Sequence, residues 1–472
     1  MVFSSLTFIF LFLPITLLLY FIIPKRFIKV KNIILLICSL IFYAWGEPKY
    51  ISLMLLSIFV SWIFGLLIEH FKDKKTLKRI IFSISIVTIL SSLLYFKYTN
   101  FFIRNLNIIL KNDISLKNIV LPIGISFYTF QILSYIIDLY RGKIKVQKNF
   151  FNLALYISFF PQLIAGPIVR YETIEKQLLK RNITLANVVN GLERFIIGLS
   201  KKTIIANYMA IICDTIFNSN QLTEYNSLVL LLGIVTYTFQ IYFDFSGYSD
   251  MAIGLGKIFG FEFQENFNYP YMAKSITDFW RRWHISLTTF FREYIYIPLG
   301  GNRVSKKRWI INILIIWLLT GFWHGASWTF IAWGLYYFVI LILERTVLKN
   351  IITKIPKTIM HIVTIVIVMI GWTLFRATSL KWFLLIMGNL FSNKGSIGII
   401  DFFKTNIDIM PAIPFIIVAI IFSSNIYQII NNRYHSNMVY IILKRMFLIL
   451  LFIVCIMFLV SSKYNPFIYF RF

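Results

Sequence analysis

"LTFIFLFLPITLLLYFII" (residues 6–23) contains no charged side chain and is followed at once by Pro24, Lys25 and Arg26. A run of this length approaches the roughly 20 apolar residues that an α-helix needs to cross a hydrocarbon core. Inside such a core every backbone N–H and C=O must be paired within the segment, so the run is expected to be helical. It reads as a first transmembrane helix. A secretory signal is the alternative, but residues 1–20 lack a basic n-region, Pro14 interrupts the apolar run, and no small-residue cleavage site follows.

Comparable runs recur over residues 33–45, 51–68, 80–96, 153–169, 228–243, 309–322, 330–343, 359–375, 413–422 and 446–460. Several approach spanning length, and others are short enough to be tilted, broken or re-entrant. The expectation is about a dozen membrane helices and no stretch left for a soluble domain. Composition agrees: of 472 residues 58% are hydrophobic and 14% charged, with a mean hydropathy of +0.76, whereas soluble domains are about 45–50% apolar and 25% charged. The fold class read from the chain is all-α, a polytopic transmembrane helical protein, with residues 1–472 forming a single membrane domain. No fixed-period repeat and no Gly/Ser- or Pro-rich linker divides it.

Lys and Arg number 47 against 19 Asp and Glu, a net charge of +28. Basic clusters follow the first run (Lys25, Arg26, Lys29, Lys31) and the third (Lys72, Lys74, Lys75, Lys78, Arg79), whereas "GEPKY" after the second is short and nearly neutral. By the positive-inside rule the N-terminus faces out, and Lys444 and Arg445 before the last run place the tail, residues 461–472, on the extracytoplasmic side as well. The positive charge serves anchoring to anionic lipid, and cytoplasmic basic patches also attract an acidic carrier protein or a phosphate-bearing cofactor. Cys38, Cys213 and Cys455 have neither CxxC nor metal-ligand spacing, so they are read as helix-packing residues, with no disulfide and no metal.

Residues 247–308 change texture: aromatic and charged side chains alternate too densely for an ordinary lipid-facing span. Polar or irregular backbone at membrane depth is tolerated only where protein or a water-filled cavity surrounds it. Interfacial and re-entrant helices lining a cavity are expected here, with "PLGGNR" (298–303) as the Gly-rich turn that ends them.

Of five histidines, His70 and His435 lie in polar loops and read as solvated, and His361 opens an apolar run, where it can snorkel. His324 differs. In "LLTGFWHGASWTF" (318–330) it lies between two apolar runs, where an ionisable group is costly and is first a functional candidate. A neutral imidazole there can take a proton from a hydroxyl, and a structural histidine bonded to a carbonyl is the other reading. His284 follows Trp280, Arg281, Arg282 and Trp283. On a continuous helix Trp280 and His284 would share a face at i and i+4, with the arginines able to hold a carboxylate or phosphate. An interfacial Trp/Arg belt explains the same residues. No GxSxG elbow and no Walker A loop occurs, and "GLGKIFG" (254–260) has no strand before it. The basic residues sit in loops, which gives no reason to invoke nucleic acid.

"NFNYPYMAKSITDFWRRWHISLTTFFREYIYIPLGGNR" (266–303) followed by "TGFWHGASWTFIAWGLYYF" (320–338) resembles the membrane-bound O-acyltransferase family in its bacterial alginate O-acetylase branch. The resemblance extends through "ISFYTFQILSYIIDLYRG" (125–142), "FFPQLIAGPIVR" (159–170) and "YFDFSGYSDMAIGLGKIFGF" (242–261). It implies a multi-pass enzyme of the bacterial cytoplasmic membrane with a central tunnel, whose motif-bearing catalytic core covers 252–345. An acyl group from a cytoplasmic thioester, acetyl-CoA or another acyl thioester acting as donor substrate rather than tightly bound cofactor, would pass to a hydroxyl on the far side. The family's invariant histidine falls on His324, the expected general base, and its second histidine on His284. Trp280, Arg281, Arg282, Trp283 and Trp323 would line the thioester or substrate path. Departures from the family pattern are Phe290 where Trp is expected, Glu293 for Asp and Tyr337 for His, which bear on substrate detail. The tail "KYNPFIYFRF" (463–472) is similar to aromatic tails of this branch and implies Tyr469 as a transient acyl acceptor, an interfacial anchor being the alternative.

The leading expectation is therefore acetyl export for O-acetylation of a cell-envelope or secreted polysaccharide, completed by an extracytoplasmic SGNH/esterase-like partner. The alternatives are D-alanyl transfer to teichoic acid and a transporter, channel or scaffold without chemistry. "YIPLGGNR" (296–303) favours the acetylase branch.

Overall fold

The computed structural model describes residues 1–461 and Ile468. Among these residues the secondary structure is helical, and the sole strand-like pairing is an isolated bridge between Tyr225 and Ile397. Among the described residues eight helices are long and apolar enough to cross a membrane, or nine if the pair Ile399–Thr405 and Ile407–Ser423, bent by 107°, counts as one span. The protein is thus polytopic and all-α, with fewer full-length spans than the dozen the apolar runs suggest. Some runs are too short or too interrupted: residues 153–169 fold into two short helices and an irregular link. Residues 6–23 form a π-helical turn, Phe8–Phe12, leading into α1 (Leu13–Ile22), shorter than a full span. Pro14 has no N–H to continue an α-helical ladder, and a π-turn just before it is one way a chain absorbs that loss.

The chain divides into two compact units. The first comprises Met1–Phe195 and Ser249–Glu265. It contains α2 (Ile28–Gly46), α3 (Ile51–His70), α4 (Lys75–Leu110), α5 (Ile125–Tyr140), α6 (Phe150–Ser158), α7 (Phe160–Leu163), α8 (Tyr171–Leu179) and most of α9 (Leu185–Ser200). Its core is aromatic: Phe8, Phe12, Phe42 and Phe160 pack with ring centroids 5.3–6.2 Å apart. Buried Lys31 is satisfied by the Tyr20 carbonyl at 2.6 Å and by the face of its ring at 4.1 Å. Gly191 and Gly254 let two helices touch backbone to backbone, since a Cβ on either would lie 2.6 Å from the other's carbonyl oxygen. That explains "GLGKIFG" as helix packing at the end of α11 (Ser227–Ile258), which follows α10 (Asn207–Phe217).

The second unit comprises Ile196–Tyr248 and Asn266–Phe472. The aromatic, charged stretch becomes irregular only after α11 ends, and then forms α12 (Ile276–Arg282), α13 (Ile285–Phe291) and a π-helical turn, Arg292–Tyr296. Next come α14 (Lys306–His324), α15 (Trp328–Arg345), α16 (Lys349–Ile352), α17 (Lys357–Arg376), α18 (Leu380–Ser392) and α19 (Ile399–Thr405). The last three helices are α20 (Pro414–Ser423), α21 (Ile426–Tyr434) and α22 (Met438–Ser461). A buried ion pair, Lys202–Asp244 at 2.7 Å, and a half-buried one, Arg376–Asp214 at 2.6 Å, tie the middle of α11 and α17 to neighbouring helices. Unpaired, any of these charges would be costly at such a depth. Asp244 also accepts the backbone N–H of Ile468 at 2.7 Å, and the Ile468 side chain is buried in this unit's core.

α14 and α15 form a tight hairpin because small residues stand where the helices cross: a Cβ at Gly321 would overlap the Phe330 carbonyl, and one at Gly334 the Trp317 carbonyl. Without a hydrophobic drive between helices in lipid, such close backbone approach supplies the packing energy. We expect Gly334→Ala to lower the thermal unfolding midpoint in detergent, at a cost of about 1–3 kcal/mol for overpacking. Gly388→Ala in α18, where the added methyl meets nothing within 4 Å, should be neutral or stabilising by up to about 1 kcal/mol.

Candidate active site

The stretch 275–284 is held from outside as well as by its own turns. Ser275 Oγ caps α12 by accepting the Asp278 N–H at 3.0 Å. The Glu344 carboxylate, from the end of α15, accepts the Ile276 and Thr277 N–H groups at 2.7 and 3.0 Å. An acid at a helix N-terminus satisfies orphan donors and meets the positive end of the dipole. α12 then stops. Trp283 is extended, and His284 adopts a left-handed conformation with φ +45°. Trp280 and His284 therefore do not share a continuous helical face. The break is stabilised by Asn266, whose carbonyl takes the Ile285 N–H at 2.9 Å.

The side chain of Asn266 decides the chemistry of His284. Its Oδ1 accepts the Ser286 N–H at 3.1 Å and the Ser286 hydroxyl at 2.8 Å, and it lies 3.2 Å from His284 Nδ1. A backbone N–H can only donate, so this atom of Asn266 is the oxygen, and Nδ1 must carry the imidazole proton. His284 Nε2 is left as an acceptor, buried and without a hydrogen-bond partner. Burial pushes the pKa of this imidazole down to about 3, which keeps it neutral.

His324 is the last residue of α14 and is 5% exposed. Its ring lies 4.8 Å from Trp323, 5.1 Å from Trp333, 5.0 Å from Phe375 and 6.5 Å from Phe330, centroid to centroid. Trp323 links the two histidines, its ring also standing 6.0 Å from His284. His324 stands at the C-terminal end of α14, where the helix dipole presents its negative end. Around the pair, Trp280 packs edge-on against Trp317, Trp333 and Tyr337 at 4.9, 5.7 and 4.8 Å. Trp283 lies 4.6 Å from Trp372. Trp280 Nε1, Trp333 Nε1 and Tyr337 Oη are all buried donors with no hydrogen-bond partner. Buried polar groups are normally paired, so these three unmatched donors and one unmatched acceptor are available to a polar group that enters the aromatic cluster.

His324, His284, Trp280, Trp283 and Trp323 thus meet in one cluster. The arginines are disposed differently: Arg282 is paired with Asp278 at 2.9 Å and Arg281 is exposed. His361 Nδ1–H donates to the Ala273 carbonyl at 2.9 Å, and His70 and His435 are exposed. Tyr469 lies outside the described residues. Sequence reading missed Asn266, Glu344, Trp333 and Phe375. Asn266 and Glu344 act across 18 and 68 residues of chain, with no local signal beyond Asn266 opening the motif. Trp333 sits at i, i+4 from Tyr337 and reads as core.

The profile of the membrane-bound O-acyltransferase family matches residues 141–387. The chain belongs to that family. It is 43% identical to the probable alginate O-acetylase of Azotobacter vinelandii over 80% of this chain and 76% of that protein. It is 37% identical to the peptidoglycan O-acetyltransferase of Helicobacter pylori over 84% and 80%, and 34% identical to the teichoic acid D-alanyltransferase of Bacillus subtilis over 48% and 59%. This membrane-bound acyltransferase is accordingly an enzyme with an all-helical, multi-pass body.

The Asn266 geometry predicts that histidine-selective 15N spectra of this O-acyltransferase show His284 in the Nδ1–H form. Asn266→Leu should abolish that tautomer preference and cut acyl transfer by roughly the tenfold to hundredfold typical of losing an orienting partner. A spectrum with His284 Nε2 protonated would contradict the assignment.

Proposed function

We propose that this O-acyltransferase moves an acetyl group from a cytoplasmic acyl thioester, acetyl-CoA in the leading case, toward O-acetylation of a cell-envelope or secreted polysaccharide in the bacterial cytoplasmic membrane. The single observation that carries the reading is His324: a buried imidazole at the C-terminal end of α14, within an aromatic cluster whose Trp and Tyr donors lack partners. Such a group can act as general base. The acceptor O–H gives its proton to His324, its oxygen bonds to the thioester carbonyl carbon, and the C–S bond breaks. The thiolate then recovers the proton and leaves as the thiol. The unpaired donors of Trp280, Trp333 and Tyr337 are suited to the oxyanion that develops on the carbonyl oxygen. The similarity to proteins named for alginate and peptidoglycan O-acetylation supports acetate as the acyl group.

His324→Ala, at equal membrane levels, should lower the O-acetyl content of the host's envelope polysaccharides by roughly 10²–10⁴ in rate, the range for a lost general base. Unchanged acetylation would remove His324 from the chemistry and favour a transporter, channel or scaffold. The similarity to a teichoic acid D-alanyltransferase supports a second reading, D-alanyl transfer from a carrier protein. Base hydrolysis of the ester distinguishes the two by releasing D-alanine instead of acetate.

On the same reading, Tyr469 is a relay that takes the acetyl group on its phenol oxygen and passes it to an extracytoplasmic esterase-like partner. Support comes from its neighbour Ile468, buried in the second unit and bonded through its N–H to Asp244. Tyr469→Phe should abolish polysaccharide acetylation while membrane insertion is retained. Full acetylation in that variant would exclude the relay.

A further inference from the structure

Lys202 and Asp244 are 3% and 1% exposed, and their side chains meet at 2.7 Å inside the second unit. Helices in lipid pack on small residues and neutral hydrogen bonds, so a charged pair at this depth calls for a task beyond packing. The backbone is arranged around the pair. Lys202 stands on a π-helical turn, Lys201–Ala206, that joins α9 to α10, and Gly247 lets α11 lie against that turn. A Cβ at Gly247 would come within 2.7 Å of the Gly198 carbonyl oxygen and 3.2 Å of the Lys202 amide nitrogen. π-Helical turns of this kind are frequent at functional sites. Asp244 divides its oxygens: Oδ1 faces Lys202 Nζ, and Oδ2 accepts the N–H of Ile468 at 2.7 Å across 224 residues of chain. A carboxylate supplies two acceptor oxygens for these two partners, where an amide side chain supplies one.

The turn of α11 that carries Asp244 also reaches the histidine site. Phe245 stands edge-on to His284 at 4.6 Å, and Tyr242 lies 6.2 Å from Trp283, ring to ring. α22, which leads to the C-terminal segment, packs against the π-helical turn, and its Phe458 ring lies 5.3 Å from Tyr208. We propose that Lys202 and Asp244 are positioning residues: they seat the chain's own C-terminal segment, by its residue-468 amide, on the helical turn that walls His284. Lys202 neutralises and orients the carboxylate, the carboxylate holds the amide, and the Ile468 side chain fills the apolar core of the unit. Tyr469 follows by one peptide bond, about 3.8 Å from Cα to Cα. The inference rests on the relay reading of Tyr469 and adds what holds that end of the chain. The seat itself does no chemistry.

The test is hydrogen–deuterium exchange of the full-length protein in nanodiscs, with the C-terminal peptide fragmented to resolve the Ile468 amide. In wild type this amide should exchange roughly tenfold or more slowly than in an unstructured chain. K202M/D244L removes the acceptor and puts apolar side chains in place of the pair, a change that is often neutral or stabilising for the fold. The Ile468 amide should then exchange roughly tenfold faster than in wild type, as expected for a lost charge-assisted hydrogen bond. Polysaccharide acetylation should fall with it, while the His284 Nδ1–H signal stays in place. D214L/R376M, which removes a second ion pair of the unit, should leave the amide protected. An unprotected amide in wild type, wild-type protection in K202M/D244L, or equal loss in both double variants would overturn the seat. Loss of protection with undiminished acetylation, or with a shifted His284 signal, would overturn its positioning role. Should K202M/D244L not fold, D244N carries the test: it keeps the volume, gives up the charge and should speed exchange severalfold, an unchanged rate counting against the seat. Full acetylation by Tyr469→Phe with the amide still protected removes the relay reading alone, so the two failures are distinguishable.

Discussion

The close crossing of α14 and α15 is the constraint on which the site depends. Gly321 and Gly334 remove the side chains that would hold the two backbones apart. Only then does α15 bring Trp333 and Tyr337 up against Trp317 and His324, at ring separations of 5.1–5.9 Å. The same hairpin delivers Glu344, at its other end, to the start of α12, and so fixes the turn on which Trp280, Trp283 and His284 stand. In a bilayer, where apolar surface gains nothing by moving from lipid to protein, backbone proximity and satisfied polar groups must do what hydrophobic burial does in water.

The two histidines are prepared for different work by their surroundings. His284 has its proton assigned to Nδ1 by Asn266, a left-handed backbone that aims the ring inward, and an acceptor nitrogen with no protein partner. It can accept a hydrogen bond at Nε2 while remaining neutral. His324 instead ends a 19-residue helix, at the negative end of its dipole. Trp323, touching both rings, couples their positions mechanically, so displacing either changes the wall of the other.

What was legible in the sequence follows from the range over which each determinant acts. Helical class and membrane residence come from composition and run length, which are local, and both read correctly. His324 and His284 stood out because ionisable groups are rare in apolar context. The number of full spans was overestimated because an apolar run does not announce an internal break: residues 153–169 look like one span and fold as two short helices. The supposed Trp280–His284 face failed for a related reason. Nothing in "FWRRWH" signals a left-handed residue, and the break is imposed by Asn266, 18 residues upstream. Glu344, 68 residues from its partners, was equally invisible. Helix-terminating contacts supplied by another segment leave no periodic trace.

The departure at Tyr337, where the family pattern has histidine, takes on meaning in this geometry. Its ring lies 5.4 Å from Trp317 and 4.8 Å from Trp280, and its hydroxyl approaches Gly371 of α17 so closely that no Cβ fits there. Tyr336, its neighbour, is meanwhile anchored to the Ile367 carbonyl at 2.7 Å. A phenol at 337 is a donor that stays protonated at neutral pH, whereas an imidazole there would bring a titratable group into a site that already holds two. Tyrosine also reaches further than histidine, and the glycine at 371 is the space that reach requires. The substitution and its accommodating glycine therefore belong together: the pair retains a hydrogen-bond donor in the aromatic cluster.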